Sequence, residues 1–386
     1  MSLRGGPRVL VFWSSAVFAL QIGVARLGYG LALPAIRTAL HGDYTLYGTI
    51  NAASLGGYLA GALIAPLVIR HIRQAVLWSG VIAGAALVVS GFAGDSLVFG
   101  AARTLFGFAS GVCLVAAAVQ TLESVEASKR GGASAVMWGG IGIGMVLSAF
   151  GADWLLRGLD WRIASFGTGV VTALIGIGYG AAARRLPASA PTTPVAAHRS
   201  LSLRQFGFLS LAYFSFGFAY IAYATFIVAS IDGRLGVRGG QATIEFLWGL
   251  YGIASVIGTM SIGRILHRPI GRGAMIFAAL AGATGCALAS LAPGAAVPSA
   301  FLVGLGLTAT PAAATAFARA RSTPSTAAVA IAAVTVAVGI GQLIGPVAAG
   351  VAADRFGLNS VVLVACAVYS LGVLFSALDA AIALRH

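Results

Sequence analysis

The sequence predicts an all-α polytopic membrane protein, twelve transmembrane helices in two six-helix pseudo-repeats. Three observations predict it. Of 386 residues, 59% are hydrophobic and only 9% charged, and mean hydropathy is +0.95. A soluble domain of that composition would have to turn apolar surface to water, so the solvent is lipid. The apolar runs last about 20 residues or more, the length a helix needs to cross the hydrocarbon core, and lack the alternation of a membrane β-barrel. One long polar stretch, "RRLPASAPTTPVAAHRSLSLRQ" at 184–205, divides these runs into two sets of six.

Charged and Gly/Pro-rich breaks delimit the elements in order. The first, 9–34, follows Arg8; its basic start and apolar continuation mimic a signal peptide, but the run is too long for an h-region and reads as an uncleaved helix. The second, 45–69, lies between "HGD" and Arg70, and the third, 75–93, between Arg73 and "GFAGD". The fourth, 96–121, starts after Asp95; the fifth, 132–156, lies between "KRGG" and Arg157; the sixth, 161–183, ends at Arg184. Beyond the linker, 206–231 ends before Asp232, 241–263 before Arg264, and 273–292 at "APG". The last three are 296–318, 325–352 and 358–383. The expected organisation is an N-terminal bundle at 1–183, a cytoplasmic linker at 184–205 rich in Pro, Ser and Thr, and a C-terminal bundle at 206–386.

A net charge of +14 invites comparison with nucleic-acid binders, but its distribution excludes that class. With a cytoplasmic N-terminus, the inner ends hold Arg4, Arg8, Arg70, Arg73, Lys129, Arg130, Arg184, Arg185, Arg199, Arg204, Arg264, Arg268, Arg272, Arg319, Arg321 and Arg385. The outer ends hold only Arg37, Arg157, Arg162, Arg234, Arg238 and Arg355, beside Asp43, Asp95, Asp160, Asp232 and Asp354. This is a topology signal, and it places both termini in the cytoplasm. Cys113, Cys286 and Cys366 lie in separate apolar runs without paired spacing and read as packing residues, with no disulfide. The five histidines, His41, His71, His198, His267 and His386, fall in loops or at the tail, so no metal site is expected within the membrane.

The two halves resemble each other. "GVARLGYGLALPAI" from residue 23 aligns without gaps on "GFAYIAYATFIVAS" from residue 217, pairing Gly23 with Gly217, Arg26 with Tyr220 and Tyr29 with Tyr223. "GIGIGMVLSAFGAD" from residue 140 aligns on "GQLIGPVAAGVAAD" from residue 341, pairing Gly144 with Gly345 and Asp153 with Asp354. Such a six-plus-six parallel repeat places a substrate site near the midplane between the halves.

With "RTLFGFASG" at 103–111, a helix-four arginine followed by spaced glycines, the chain resembles the major facilitator superfamily over its whole length. "ARLGYGLALPAIR", "FGFAYIAYATF" and "GIGQLIGPVAAGVAADRFG" resemble its YbfB/YjiJ-type branch more narrowly. The resemblance implies a secondary transporter working by alternating access in a bacterial inner membrane, with helices one, four and seven lining a central cavity. One departure is "APLVIRHIRQ" between helices two and three, which lacks the usual aspartate; the inside-gate ion pair drawn there in the family does not carry over.

Three charges stand out within the spans: Arg26, Arg103 and Glu245. At helical rise, Arg26 lies roughly 16 Å below Arg37, Arg103 roughly 12 Å below Asp95 and Glu245 roughly 10 Å below Arg238, so all three sit at similar levels. A buried arginine costs about 2.5 kcal/mol or more to insert. Arg26 reads as an anion clamp, because guanidinium presents a planar fork to carboxylate or phosphate; the bland alternative is a structural arginine bound to a carbonyl or to Glu245. Arg103 is a candidate substrate contact with a structural or proton-coupling alternative. Glu245 is the candidate proton carrier, with a carboxylate snorkelling to the surface as its alternative. In the seventh span Tyr213, Tyr220 and Tyr223 recur at helical spacing. Arg26, Tyr29, Tyr220 and Tyr223 form the expected symmetric pocket, and packing is the plain alternative for the tyrosines. Asn51, Gln120 and Gln342 read as interhelical hydrogen-bonders, the GxxxG pairs Gly57/Gly61, Gly107/Gly111, Gly140/Gly144 and Gly341/Gly345 as sites of close helix approach, and Pro311 and Pro346 as bends.

The leading expectation is therefore a monomeric secondary transporter of a small organic anion, coupled to protons as a symporter and surrounded by lipid. It uses no cofactor, because no nucleotide motif is present. The alternative is proton-driven efflux of drugs or other hydrophobic compounds, in which the aromatics form an apolar pocket and Glu245 receives a cation. An intramembrane enzyme would need a nucleophile–base pair or ligand cluster within the spans, and none is found.

Overall fold

The computed structural model describes residues 6–71, 74–156, 160–184, 203–265, 273–323 and 326–383. In chain order the helices are α1 (Gly6–Leu40), α2 (Tyr44–His71), α3 (Ala75–Gly91), α4 (Ser96–Ser124), α5 (Arg130–Leu156) and α6 (Trp161–Ala183). The helical run Gly207–Ile265 follows, then α9 (Ala274–Leu291), α10 (Ala296–Ala320), α11 (Ala327–Phe356) and α12 (Asn359–Ala383).

Helical hydrogen bonding is continuous through Gly207–Ile265, yet the rings of Tyr223 and Tyr251 lie 6.0 Å apart. In a straight helix residues 223 and 251 would stand about 42 Å apart. The chain therefore doubles back, and the run comprises two spans, α7 (Gly207–Arg234) and α8 (Thr243–Ile262). Among the described residues eleven helices are long and apolar enough to cross a membrane, and α3, at 17 residues, is a shorter twelfth.

By its contacts the chain forms two compact units, Met1–Asp43 with Thr49–Thr192, and Tyr44–Gly48 with Thr193–His386. Most of the expected linker at 184–205, together with Arg4, Arg73, Arg157, Arg268, Arg272 and Arg385, lies outside the described residues.

Small residues set the packing of the first unit. A Cβ on Gly107 would lie 1.9 Å from the Ser54 carbonyl, and one on Gly61 2.0 Å from that of Phe108, so the two GxxxG pairs of α2 and α4 form one reciprocal seam. Gly140 and Gly144 bring α5 to 2.4 and 2.1 Å of the Ser15 and Ala19 carbonyls of α1 on the same measure, and Gly80 faces Gly176 where α3 meets α6. Asp95 caps α4 by accepting from the Leu97 and Val98 N–H groups, both at 2.8 Å.

In the second unit α7 is the axis: 94% of its most apolar window is buried, against 33% for α12. Gly341 and Gly345 of α11 lie against the Phe214 and Phe218 carbonyls of α7. Arg321, at the end of α10, makes a bidentate pair with Asp379 of α12, both bonds 2.6 Å. Asp354 of α11 accepts from the Tyr44 and Thr45 N–H groups at 3.0 and 2.7 Å and from the Thr45 hydroxyl at 2.6 Å.

The glycine contacts assign the repeat a register different from the gapless alignment. If Gly140 and Gly144 correspond to Gly341 and Gly345, then Ser15 corresponds to Phe214 and Ala19 to Phe218. That is a shift of 199 residues (214 − 15, 218 − 19), where the alignment of Gly23 on Gly217 uses 194. The two differ by more than one helical turn, and the repeat counterpart of Arg26 is then Thr225 rather than Tyr220.

Candidate functional site

Helix α1 is not uniformly α. Its centre, Ala19–Leu27, is a π-helix of nine residues, and Arg26 lies within it. Wide π-turns concentrate at functional sites, because the extra residue per turn re-aims side chains that a regular helix would place elsewhere. Gly23, within the same segment, lets α5 approach closely: a Cβ there would lie 2.4 Å from the Ile141 carbonyl and 2.8 Å from the Gly144 Cα.

Arg26 is 7% exposed. Its Cζ lies 3.7 Å from the centroid of the Tyr58 ring of α2. Its guanidinium makes no hydrogen bond or ion pair with any described residue, and its Nη2 is buried and unpartnered. The ring face stabilises the cation without neutralising it and leaves the in-plane N–H edge unused.

Arg103 of α4 is 5% exposed. Its Nη2 donates to the Ala25 carbonyl at 3.1 Å, inside the π-segment and one residue from Arg26. The guanidinium lies 5.0 Å from the Tyr29 centroid and 5.1 Å from that of Phe106, and its Nε is buried without a partner. Tyr29 itself is buried and stacks on Phe99 with centroids 6.4 Å apart. The structure thus brings Arg26, Arg103 and Tyr29 together in the first unit.

The second unit holds the other candidates. Tyr213, Phe216 and Tyr220 form a ladder, with centroids 6.0 and 4.7 Å apart, and the Tyr220 hydroxyl accepts from Gln342 Nε2 at 2.8 Å. Tyr223 leaves that ladder; it is 0% exposed, its hydroxyl bonds to that of Ser299 at 2.9 Å, and its ring meets the edge of Tyr251. Glu245 is half-buried in the first turn of α8.

Three features escape sequence reasoning. Tyr58 is one, although it stands between Gly57 and Gly61, whose contact with α4 fixes the face it presents. Gln21 is another; it donates to the Cys113 sulfur at 3.1 Å, so Cys113 does more than fill space. The third is a chain of buried hydroxyls, in which Thr121 bonds to Ser14 at 3.1 Å and to Tyr179 at 3.0 Å.

Apolar helices of spanning length in two units define a polytopic membrane protein. A family model described as "Uncharacterised MFS-type transporter YbfB" matches residues 18–377, and the chain belongs to that family of the major facilitator superfamily. It is an integral membrane protein. Among solved structures it is similar to a bacterial homologue of the human lysosomal transporter Spinster in an inward-facing, unoccupied conformation, at 17% identity and TM-score 0.74, covering 100% of this chain and 99% of that one. The nucleoside transporter NupG, in the form of a point mutant, is similar at 13% identity and TM-score 0.75, covering 96% and 99%. At these identities the likeness shows the fold. No curated protein matches the sequence.

Proposed function

We propose that this transporter moves a small organic anion by alternating access, in symport with protons, as a monomer in a bacterial inner membrane with both termini in the cytoplasm. One observation carries the reading. Arg26 is a buried guanidinium whose described surroundings offer it a ring face and no acceptor. An arginine kept in the membrane at a cost of about 2.5 kcal/mol or more needs a counter-charge, and a carboxylate or phosphate arriving as cargo supplies it. Arg103 stands beside it as the second cation, and Tyr29 acts through Arg103. Tyr220 and Tyr223, bonded to Gln342 and Ser299, contribute packing within their own unit.

The test is a thermal-shift screen of detergent-purified protein with small carboxylates and with lipophilic cations, on wild type and Arg26→Gln. Stabilisation by carboxylates that disappears in the variant supports the reading. Stabilisation by lipophilic cations alone, unchanged in the variant, overturns it in favour of efflux. Glu245 is the proposed proton carrier; Glu245→Gln is expected to remove the pH dependence of anion uptake into proteoliposomes while leaving anion binding in place.

A further inference from the structure

We propose that the cargo is a dianion; this rests on the anion reading above and narrows it. Both guanidiniums belong to the first unit, and neither has a carboxylate partner among the described residues. Arg103 bonds the carbonyl next to Arg26, near enough for the two charges to repel each other. The spans of that unit hold few carboxylates. Gly6–Leu40, Tyr44–Ile69, Ala75–Gly91 and Trp161–Ala183 contain no Asp or Glu, and α5 contains only Asp153, in its last turn. Ser96–Ser124 contains only Glu123, next to its end and about 30 Å along the helix from Arg103.

Ring faces cover the two cations where carboxylates would be expected: Tyr58 over Arg26, Tyr29 and Phe106 over Arg103. Quadrupole attraction holds a cation in low dielectric without cancelling its charge. The unpartnered Arg26 Nη2 and Arg103 Nε remain as donors. A site built in this way carries two positive charges when empty. A monoanion leaves one of them uncompensated, whereas a dicarboxylate or a phosphate monoester neutralises both. Because ion–ion attraction is strong where water is excluded, charge number is expected to dominate selectivity over a matched carbon skeleton.

The experiment compares succinate with butyrate and phthalate with benzoate, pairs of similar skeleton carrying two charges and one. Thermal-shift titration at pH 7.5 and constant ionic strength gives an apparent Kd for each, on wild type, Arg26→Gln, Arg103→Gln and Arg103→Lys. The dianion is expected to bind at least about tenfold more tightly in one pair or both. Each glutamine variant is expected to bring that ratio towards one, and Arg103→Lys, which keeps the charge, to retain it. Equal or tighter binding of the monoanions in both pairs overturns the dianion assignment and leaves the anion reading standing. A preference that survives both glutamine variants also overturns it. If no member of either pair binds, the anion reading falls and this inference with it.

Discussion

Replacing Arg26 by methionine should make the ligand-free protein more stable. The side chain brings a charge into the membrane at about 2.5–3.5 kcal/mol on insertion scales. The Tyr58 ring, 3.7 Å away, offsets about 2 kcal/mol of that when desolvated. No hydrogen bond or ion pair with a described residue offsets the remainder. The wild-type site therefore carries a net cost of roughly 1 kcal/mol that methionine, similar in length and apolar, removes. For a unit of this size that corresponds to a rise of about 2–4 °C in Tm. The assay is intrinsic-fluorescence melting in detergent, in buffer free of carboxylates and phosphate. Tyr58→Leu completes a double-mutant cycle: it should lower Tm strongly when Arg26 is present and little in the Arg26→Met background, and the difference measures the ring contact. A fall in Tm for Arg26→Met, or a Tyr58→Leu effect equal in both backgrounds, refutes the reasoning, because Arg26 would then hold the fold together.

Two further outcomes test the packing. Gly107→Ala forces α2 and α4 apart, since its Cβ would sit 1.9 Å from the Ser54 carbonyl; overpacking of this kind costs about 1–3 kcal/mol or more. Gly139→Ala, on a face of α5 with nothing within 4 Å, should leave Tm unchanged or raised, so equal melting of the two variants would count against the seam. Asp379→Asn strands the Arg321 guanidinium and should cost roughly 2–4 kcal/mol, whereas the double change Arg321→Met with Asp379→Leu should recover most of it; melting curves of the three proteins decide.

The features legible in the sequence are those written in composition and charge. Apolar length and punctuating arginines locate α6 at 161–183 and α2 within a few residues, because insertion in lipid depends on summed hydrophobicity more than on any neighbour. Arg26 and Arg103 stand out because a charge in a spanning segment is costly wherever it points. Their partners are not legible. Nothing in "GGYLAG" states that the Tyr58 ring will meet Arg26; that depends on the α2–α4 seam, which is a tertiary event. The same holds for Tyr223, whose spacing in "YFSFGFAYIAY" suggests one stripe with Tyr213 and Tyr220. Once α8 doubles back it is drawn to Ser299 and Tyr251 instead.

The repeat shows why a sequence match can find the symmetry and misplace the chemistry. In segments made of Gly, Ala and aliphatic residues, several gapless registers score alike, and only a close contact distinguishes them. Gly144 against Ala19 and Gly345 against Phe218 supply that contact, and they make Thr225 the repeat counterpart of Arg26. The Thr225 hydroxyl donates to the Ile221 carbonyl at 2.6 Å. No cation therefore answers Arg26 in the second repeat, and Arg103 stands in the same unit as Arg26. The scaffold is pseudo-symmetric while the charge belongs to one half of it. Duplication thus accounts for the paired helices and their glycine seams. The departures from it are the π-turn around Arg26 and the ring that lies over it, and they are positions at which substitutions should change transport without unmaking the fold.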